Sequence, residues 1–327
     1  MRFVLRRLGF FVVTLWAAVT ANFLIPRLMP GNPALALMSR YRGHINPQAL
    51  HAIEIAFGVN KHQSLISSYF SYLGNIFRGR FGVSLTFFPD PVMKNVLQAL
   101  PWTLALVGVT TILAFLLGTL IGLVAAWRRG GILDSLLPPI FVITSAFPYF
   151  WLAMIAIWLF AIKLHWLPQS GGYDFTNTVG WTWTFVWDAF KHSILPALTI
   201  LVTSIGGWIL TMRNNTITVL TEDYVRMARA KGLSPWRVIW TYAGRNAILP
   251  NLTGFAMSLG FMVSGAILVE FVFNYPGVGW MFLQSVENQD YALMQGLFLM
   301  IVVAVLTAIL AADAATAVLD PRTRDVR

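Results

Sequence analysis

Six apolar stretches, each of about 20 residues or more, dominate the sequence, at 8–28, 101–127, 136–162, 194–212, 251–272 and 292–318. A helix needs about 20 predominantly apolar residues to cross a bilayer. The runs are continuous, whereas the strands of a membrane barrel alternate in short segments. The sequence therefore predicts an all-α integral membrane protein with six transmembrane helices.

Composition excludes most other classes of protein. Hydrophobic residues make up 57% of the chain and charged residues 11%, against about 25% charged in ordinary soluble domains. A soluble enzyme, a disordered chain and a disulfide-stapled domain are excluded. The sequence contains no cysteine, so thiol catalysis and thiolate metal sites are excluded too.

Basic residues predict the orientation, because loops on the cytoplasmic side of a membrane are enriched in Lys and Arg. They cluster before the first run, after the second, between the fourth and fifth, and after the sixth. These residues are Arg2, Arg6, Arg7, Arg128, Arg129, Arg213, Arg226, Arg229, Lys231, Arg237, Arg245, Arg322, Arg324 and Arg327. Both termini are therefore expected in the cytoplasm. The alternative is a leader cleaved near Ala21, which would leave five spans.

The chain divides into four parts: an N-terminal transmembrane helix (1–28), an extracytoplasmic loop (29–100), a transmembrane core (101–318) and a cytoplasmic tail (319–327). Apolar residues at helical spacing predict short helices at 48–57 and 65–77 in the first loop. This loop either packs on the spans as a lid or forms a docking surface for an external partner. In the loop at 164–193, four tryptophans either anchor in the membrane interface or stack on a sugar.

The segment at 213–250 is the most informative cytoplasmic loop. Thr221 is predicted to cap a helix that carries Glu222 and Asp223 in its first turn. Gly232 is predicted to stop this helix in a left-handed conformation. Ser234 and Pro235 then start a second helix as its N-cap and first residue. Such a rigid basic protrusion suits a groove on a soluble partner, and the alternative is an amphipathic hairpin on the lipid surface.

Several catalytic and transport signatures are absent from the sequence. It contains no GxxxxGK[ST] phosphate loop, so the chain itself is not expected to bind ATP. HExxH and GxSxG motifs are also absent, and no cofactor or metal is expected. Charged residues are few within the predicted spans, where Asp313 lies near the cytoplasmic end of the last span and Arg27 and Glu270 lie near the ends of theirs, which argues against a proton-driven transporter. A channel, a secondary transporter and a membrane-embedded enzyme remain as rival classes.

The loop at 213–250 resembles that of the permease subunits of ATP-binding-cassette (ABC) importers. Their pattern is EAA, three residues, Gly, and a downstream apolar residue with proline. Residues 226–228 stand at the EAA position with Arg226 in place of the acid, Gly232 at the glycine, and Leu249-Pro250 at the end. Further matches to the oligopeptide/dipeptide branch lie at 27–33, 81–84, 91–92, 167–172, 228–234, 245–247, 270–279 and 320–324, and the extended first loop resembles that of its B-type member.

The resemblance implies a type I ABC importer permease (MetI-like) fold with cytoplasmic coupling helices, located in a bacterial or archaeal inner membrane. It implies a homologous second permease, two ABC ATPase subunits that bind ATP and Mg, and an extracytoplasmic solute-binding protein. This chain would form half of the pathway without being an enzyme itself. The residues implied to couple it to the ATPase are Arg226, Ala228, Arg229, Lys231, Gly232, Ser234, Pro235 and Arg237. Oligopeptides or dipeptides are the expected solutes, with oligosaccharides as the alternative.

Overall fold

The computed structural model describes residues 2–28, 64–262 and 266–319, and helices account for the regular structure of these residues. They are α1 (Arg2–Leu28), α2 (Leu65–Phe77), α3 (Val92–Thr103), α4 (Val109–Trp127), α5 (Ile132–Ala146), α6 (Tyr149–Ala156), α7 (Trp183–Val219), α8 (Asp223–Ala230), α9 (Pro235–Arg237), α10 (Arg245–Ala247), α11 (Leu249–Phe261), α12 (Ile267–Val272), α13 (Val278–Glu287) and α14 (Tyr291–Leu319). Three π-helical segments, Leu104–Gly108, Ile157–Lys163 and Val238–Gly244, continue neighbouring helices. The all-α fold predicted from the sequence is confirmed.

Among the described residues, four helices are long and apolar enough to cross a membrane: Arg7–Leu28, Val92–Trp127, Trp183–Val219 and Tyr291–Ala311. The predicted third span is instead divided between α5 and α6, which continues to Lys163. Phe147 is extended before Pro148, because a proline disfavours helical backbone in the residue before it. The predicted fifth span is likewise divided between α11 and α12.

The predicted start of the second span at Pro101 is wrong. The helix begins nine residues earlier, at Val92, and holds Pro101 inside it. The π-helical segment Leu104–Gly108 follows directly. A proline removes one backbone donor, and local π adjustments in membrane helices restore hydrogen bonding around such sites.

The described residues form two compact units. Of these residues, the first unit comprises 2–28, 64–103, 266–267 and 276–307, and the second comprises 104–262, 268–275 and 308–319. The core of the first unit is a cluster of α3, α13 and α14 side chains, including Val96, Val278 and Leu293. Asp290, which is 1% exposed, accepts hydrogen bonds from Ser84 Oγ and from the backbone N–H of Thr86 and Leu293. This carboxylate therefore joins the first loop to the start of α14.

Helix α2 confirms the prediction of a short helix at 65–77, and it packs against α1 within the first unit. Thr20 Oγ1 lies 2.8 Å from the hydroxyl of Tyr69, and Asn22 Nδ2 donates to the hydroxyl of Tyr72 at 3.0 Å. This packing favours the lid interpretation for this part of the loop. The helix predicted at 48–57 lies outside the described residues.

Close contact between α4 and α7 organises the second unit. A Cβ added to Gly118 would lie 2.5 Å from Trp208 Cβ, and one added to Gly122 would lie 2.5 Å from the backbone oxygen of Ile209. Only glycine permits so close an approach at either position. The two glycines are a small-xxx-small pair, the pattern that lets membrane helices pack backbone to backbone.

Replacing Gly122 with alanine is expected to destabilise the purified protein by about 1–3 kcal/mol, the usual cost of overpacking. The added methyl group would meet backbone atoms of α7, which a rotamer change cannot move. Gly207→Ala is the matched control, because a Cβ at Gly207 has no atom within 4 Å. Thermal unfolding in detergent measures the difference, and equal melting temperatures for the two variants would contradict the packing.

Candidate coupling site

The first helix of the predicted protrusion is α8, and its cap differs from the prediction. Its N-cap is Glu222, in extended backbone and without a side-chain cap hydrogen bond. Thr221 instead donates its hydroxyl to the backbone oxygen of Thr218 at 2.7 Å. Asp223 stands in the first turn as predicted, where the helix dipole favours an acid.

Gly232 ends α8 as predicted, with φ of +75°. Its N–H donates to the carbonyl of Arg229 at 2.9 Å, and the N–H of Leu233 donates to the carbonyl of Ala228 at 3.3 Å. These two bonds define a Schellman motif, in which the left-handed residue is usually glycine. The space around Gly232 is open, since a Cβ there would have no atom within 4 Å. Glycine is therefore favoured at position 232 because of the backbone conformation and not because of a lack of space.

The second helix begins as the sequence predicts. Ser234 is its N-cap, with Oγ accepting from the N–H of Arg237 at 3.4 Å, and Pro235 is its first residue. The helix is longer than the prediction implied, because α9 continues through the π-helical segment Val238–Gly244 into α10. Asn246 in α10 donates to the hydroxyl of Tyr224 in α8 at 2.7 Å. The two helices therefore form one hydrogen-bonded hairpin.

Two apolar clusters fix this hairpin. Val225 and Ala228 of α8 pack with Val238, and all three are buried. Ile239, Ala243 and Ala247 pack with Leu123 of α4 and Met212 of α7. Val219 and Leu220 contact both clusters. The hairpin is thus seated on the ends of two long helices, unlike a free amphipathic hairpin lying on lipid.

The structure sorts the predicted site residues into two groups. Ala228 is 3% exposed, so it anchors α8 and offers no surface to a partner. The exposed group consists of Arg226, Arg229, Lys231, Gly232, Ser234, Pro235 and Arg237.

Sequence reasoning missed the apolar part of the exposed face. Met227 is 59% exposed, Trp236 72% and Trp240 40%. The ring centres of Trp236 and Trp240 lie 5.3 Å apart. Their spacing of four residues was a usable signal, since residues four apart share a helix face. Large apolar side chains beside cations are typical of protein interfaces.

Acids near the hairpin neutralise little of its charge. Arg226 lies 3.7 Å from Asp223, but both side chains are strongly exposed, and such pairs contribute about 0–1 kcal/mol. Arg229 instead places its guanidinium 5.9 Å from the ring centre of Trp127. The exposed face therefore keeps a positive potential.

A partly buried ion pair fixes the neighbouring helix ends. Arg213 Nε lies 2.6 Å from Asp134 Oδ1, and the N–H of Gly130 donates to Asp134 Oδ2 at 2.8 Å. The hydrogen bond from Arg213, followed by that from Gly130, holds the pKa of Asp134 below its usual range. A lowered carboxyl pKa stabilises the fold at neutral pH, and that stabilisation is lost as the pH falls through the folded-state value.

Comparison with known proteins places this sequence in a family. Residues 118–325 match the model of the binding-protein-dependent transport system inner membrane component. This range contains α7, the hairpin and α11.

Full-length relatives carry related names. The chain is 33% identical to the di/tripeptide transport system permease protein DppB of Pseudomonas aeruginosa, over 99% of both chains. It is 31% identical to the oligopeptide transport system permease protein AppB of Bacillus subtilis, over 98% of both chains. It is 30% identical to the dipeptide transport system permease protein DppB of Escherichia coli, over 99% of both chains. The chain therefore belongs to the family of binding-protein-dependent transport system inner membrane components, and its resemblance to ABC importer permeases is confirmed.

Proposed function

We propose that this chain is a permease subunit of an ATP-driven importer of short peptides and forms half of its translocation pathway. The supporting observation is similarity over almost the whole chain to permeases named for dipeptides, tripeptides and oligopeptides. The similarity includes the residues before α4, so it is not confined to the family match at 118–325.

Uptake by cells that carry the complete importer tests the solute. Labelled peptides of two to six residues are expected to accumulate in these cells and not in cells that lack this chain. A labelled gluco-oligosaccharide is the comparison solute. Uptake of the oligosaccharide without uptake of any peptide would contradict the peptide assignment.

Coupling to a separate ATPase is proposed for the hairpin 223–247. Its buried side contacts Leu123 and Met212, so a force on the exposed side is transmitted to α4 and α7. Arg226, Arg229, Lys231 and Arg237, with Met227 and Trp236, supply a basic and apolar contact surface. The ATPase, which binds ATP and Mg, would dock on this surface.

Gly232→Val tests the coupling role. The left-handed backbone at Gly232 makes a β-branched residue cost on the order of 1–2 kcal/mol, and α9 is then expected to be misdirected. The variant should still insert and pair with its partner permease, while uptake and solute-stimulated ATP hydrolysis both fall sharply. Gly232→Asn should retain more activity, because Asn tolerates this conformation better.

Gly79→Val is the matched control for this experiment. Gly79 also has a positive φ, of +65°, and a Cβ there likewise has no atom within 4 Å. It follows α2 in the first loop, away from the hairpin sequence. Normal uptake in a normally expressed Gly232→Val complex, or an equal loss in Gly79→Val, would refute a specific role of the hairpin in coupling.

The proposed assembly contains a homologous second permease, two ABC ATPase subunits and an extracytoplasmic solute-binding protein. Copurification of a soluble ATPase with the tagged chain distinguishes this assembly from a channel, a secondary transporter or a membrane-embedded enzyme. Peptide transport by the purified chain alone, without ATP, would contradict it.

The orientation is also a proposal, with both termini in the cytoplasm. The chain has no native cysteine, so single-cysteine variants report one position each. Thr178 and Thr221 are both exposed, and they are expected on opposite sides of the membrane. An impermeant thiol reagent should label Thr178→Cys in intact cells and Thr221→Cys only after lysis. Labelling of Thr221→Cys in intact cells would reverse the orientation.

A further inference from the structure

An apolar groove of about 440 Å³ lies in the second unit between α4 and the hairpin. Phe115, Leu123 and Met212 form its buried floor. Leu116 and Leu120, which are 55% and 45% exposed, form one wall. Trp240 and Arg245 of the hairpin line it as well.

The length of the groove fits one leaflet of a bilayer. From Leu116 to Leu123 it follows α4 over eight residues, and the seven steps between them give a rise of about 10 Å. The hydrocarbon core of a bilayer is about 30 Å thick, so each leaflet contributes about 15 Å. A lipid acyl chain from a single leaflet would therefore match the groove.

Charge distinguishes this groove from an ordinary lipid-facing surface. Arg245 is exposed, and it takes part in none of the salt bridges found among the described residues. Arg213, by contrast, is already paired with Asp134. Trp240 lies beside the groove, and tryptophan prefers the depth of lipid headgroups. The groove thus combines apolar walls with a cation and an interfacial aromatic residue.

We propose that this groove binds one anionic phospholipid, with an acyl chain along Leu116 and Leu120 and its phosphate on Arg245. Basic pockets between membrane helices on the cytoplasmic side are suited to acidic headgroups. Because Arg245 and Trp240 belong to the hairpin and Leu120 to α4, the lipid would connect the two. The proposal does not depend on the transported solute.

Photo-crosslinking of the complete importer in lipid nanodiscs tests the site. The probe is phosphatidylglycerol with a diazirine on one acyl chain, and the comparison probe is phosphatidylcholine with the same chain. Crosslinks in the peptide that contains Leu116 and Leu120 are expected to be about fivefold more abundant with phosphatidylglycerol. This ratio corresponds to about 1 kcal/mol, the usual contribution of one basic residue to binding at an anionic surface.

Arg245→Gln should reduce the phosphatidylglycerol signal to the phosphatidylcholine level, and Leu120→Trp should reduce both by filling the groove. Arg78→Gln is the control, since Arg78 is an exposed cation in the first loop, and it should change nothing. Equal labelling by the two probes, or an unchanged signal in Arg245→Gln, would overturn the proposal. Labelling seen only when the partner permease is absent would overturn it too, because the groove would then belong to the permease interface.

Discussion

The second unit depends on the backbone contact between α4 and α7 at Gly118 and Gly122. Lipid tails are as apolar as leucine, so membrane helices gain little hydrophobic energy by associating and rely on close packing. Glycine at these two positions removes the side chains that would hold the helices apart. Leu123 and Met212, which belong to the same helix pair, form the seat of the hairpin. The position of the hairpin is therefore a consequence of how closely these helices approach.

The hairpin has one side anchored by buried residues and one exposed side. Along α8, buried and exposed residues alternate in the sequence. Val225 and Ala228 are buried, whereas Arg226, Met227 and Arg229 between and after them are exposed. The coupling proposed for this hairpin needs this division, because a segment that moves with the spans must also offer a surface to the ATPase. The Schellman motif at Gly232 sets the direction in which the second helix leaves, since its two hydrogen bonds fix the turn.

Local signals in the sequence predicted the turn and the start of the second helix correctly. Gly232, Ser234 and Pro235 each act through backbone geometry within a few residues, which a sequence displays directly. Local signals gave a wrong result where contacts with neighbouring segments determine how a helix begins. Thr221 and Glu222 are adjacent potential caps, and Thr221 bonds back to Thr218. Pro101 looked like a helix start, but the π-helical segment after it accommodates a proline inside the helix.

Composition alone does not distinguish the different structural roles of the basic residues. Counting them predicted an orientation, yet the count treats every cation alike. The structure gives Arg213 a buried acid, places Arg229 near Trp127, and leaves Arg245 exposed beside an apolar groove. A cation with a buried partner holds helices together, whereas an exposed cation beside an apolar surface is available to bind another molecule. The basic residues of one loop can thus serve different roles, and only the surroundings of each side chain distinguish these roles.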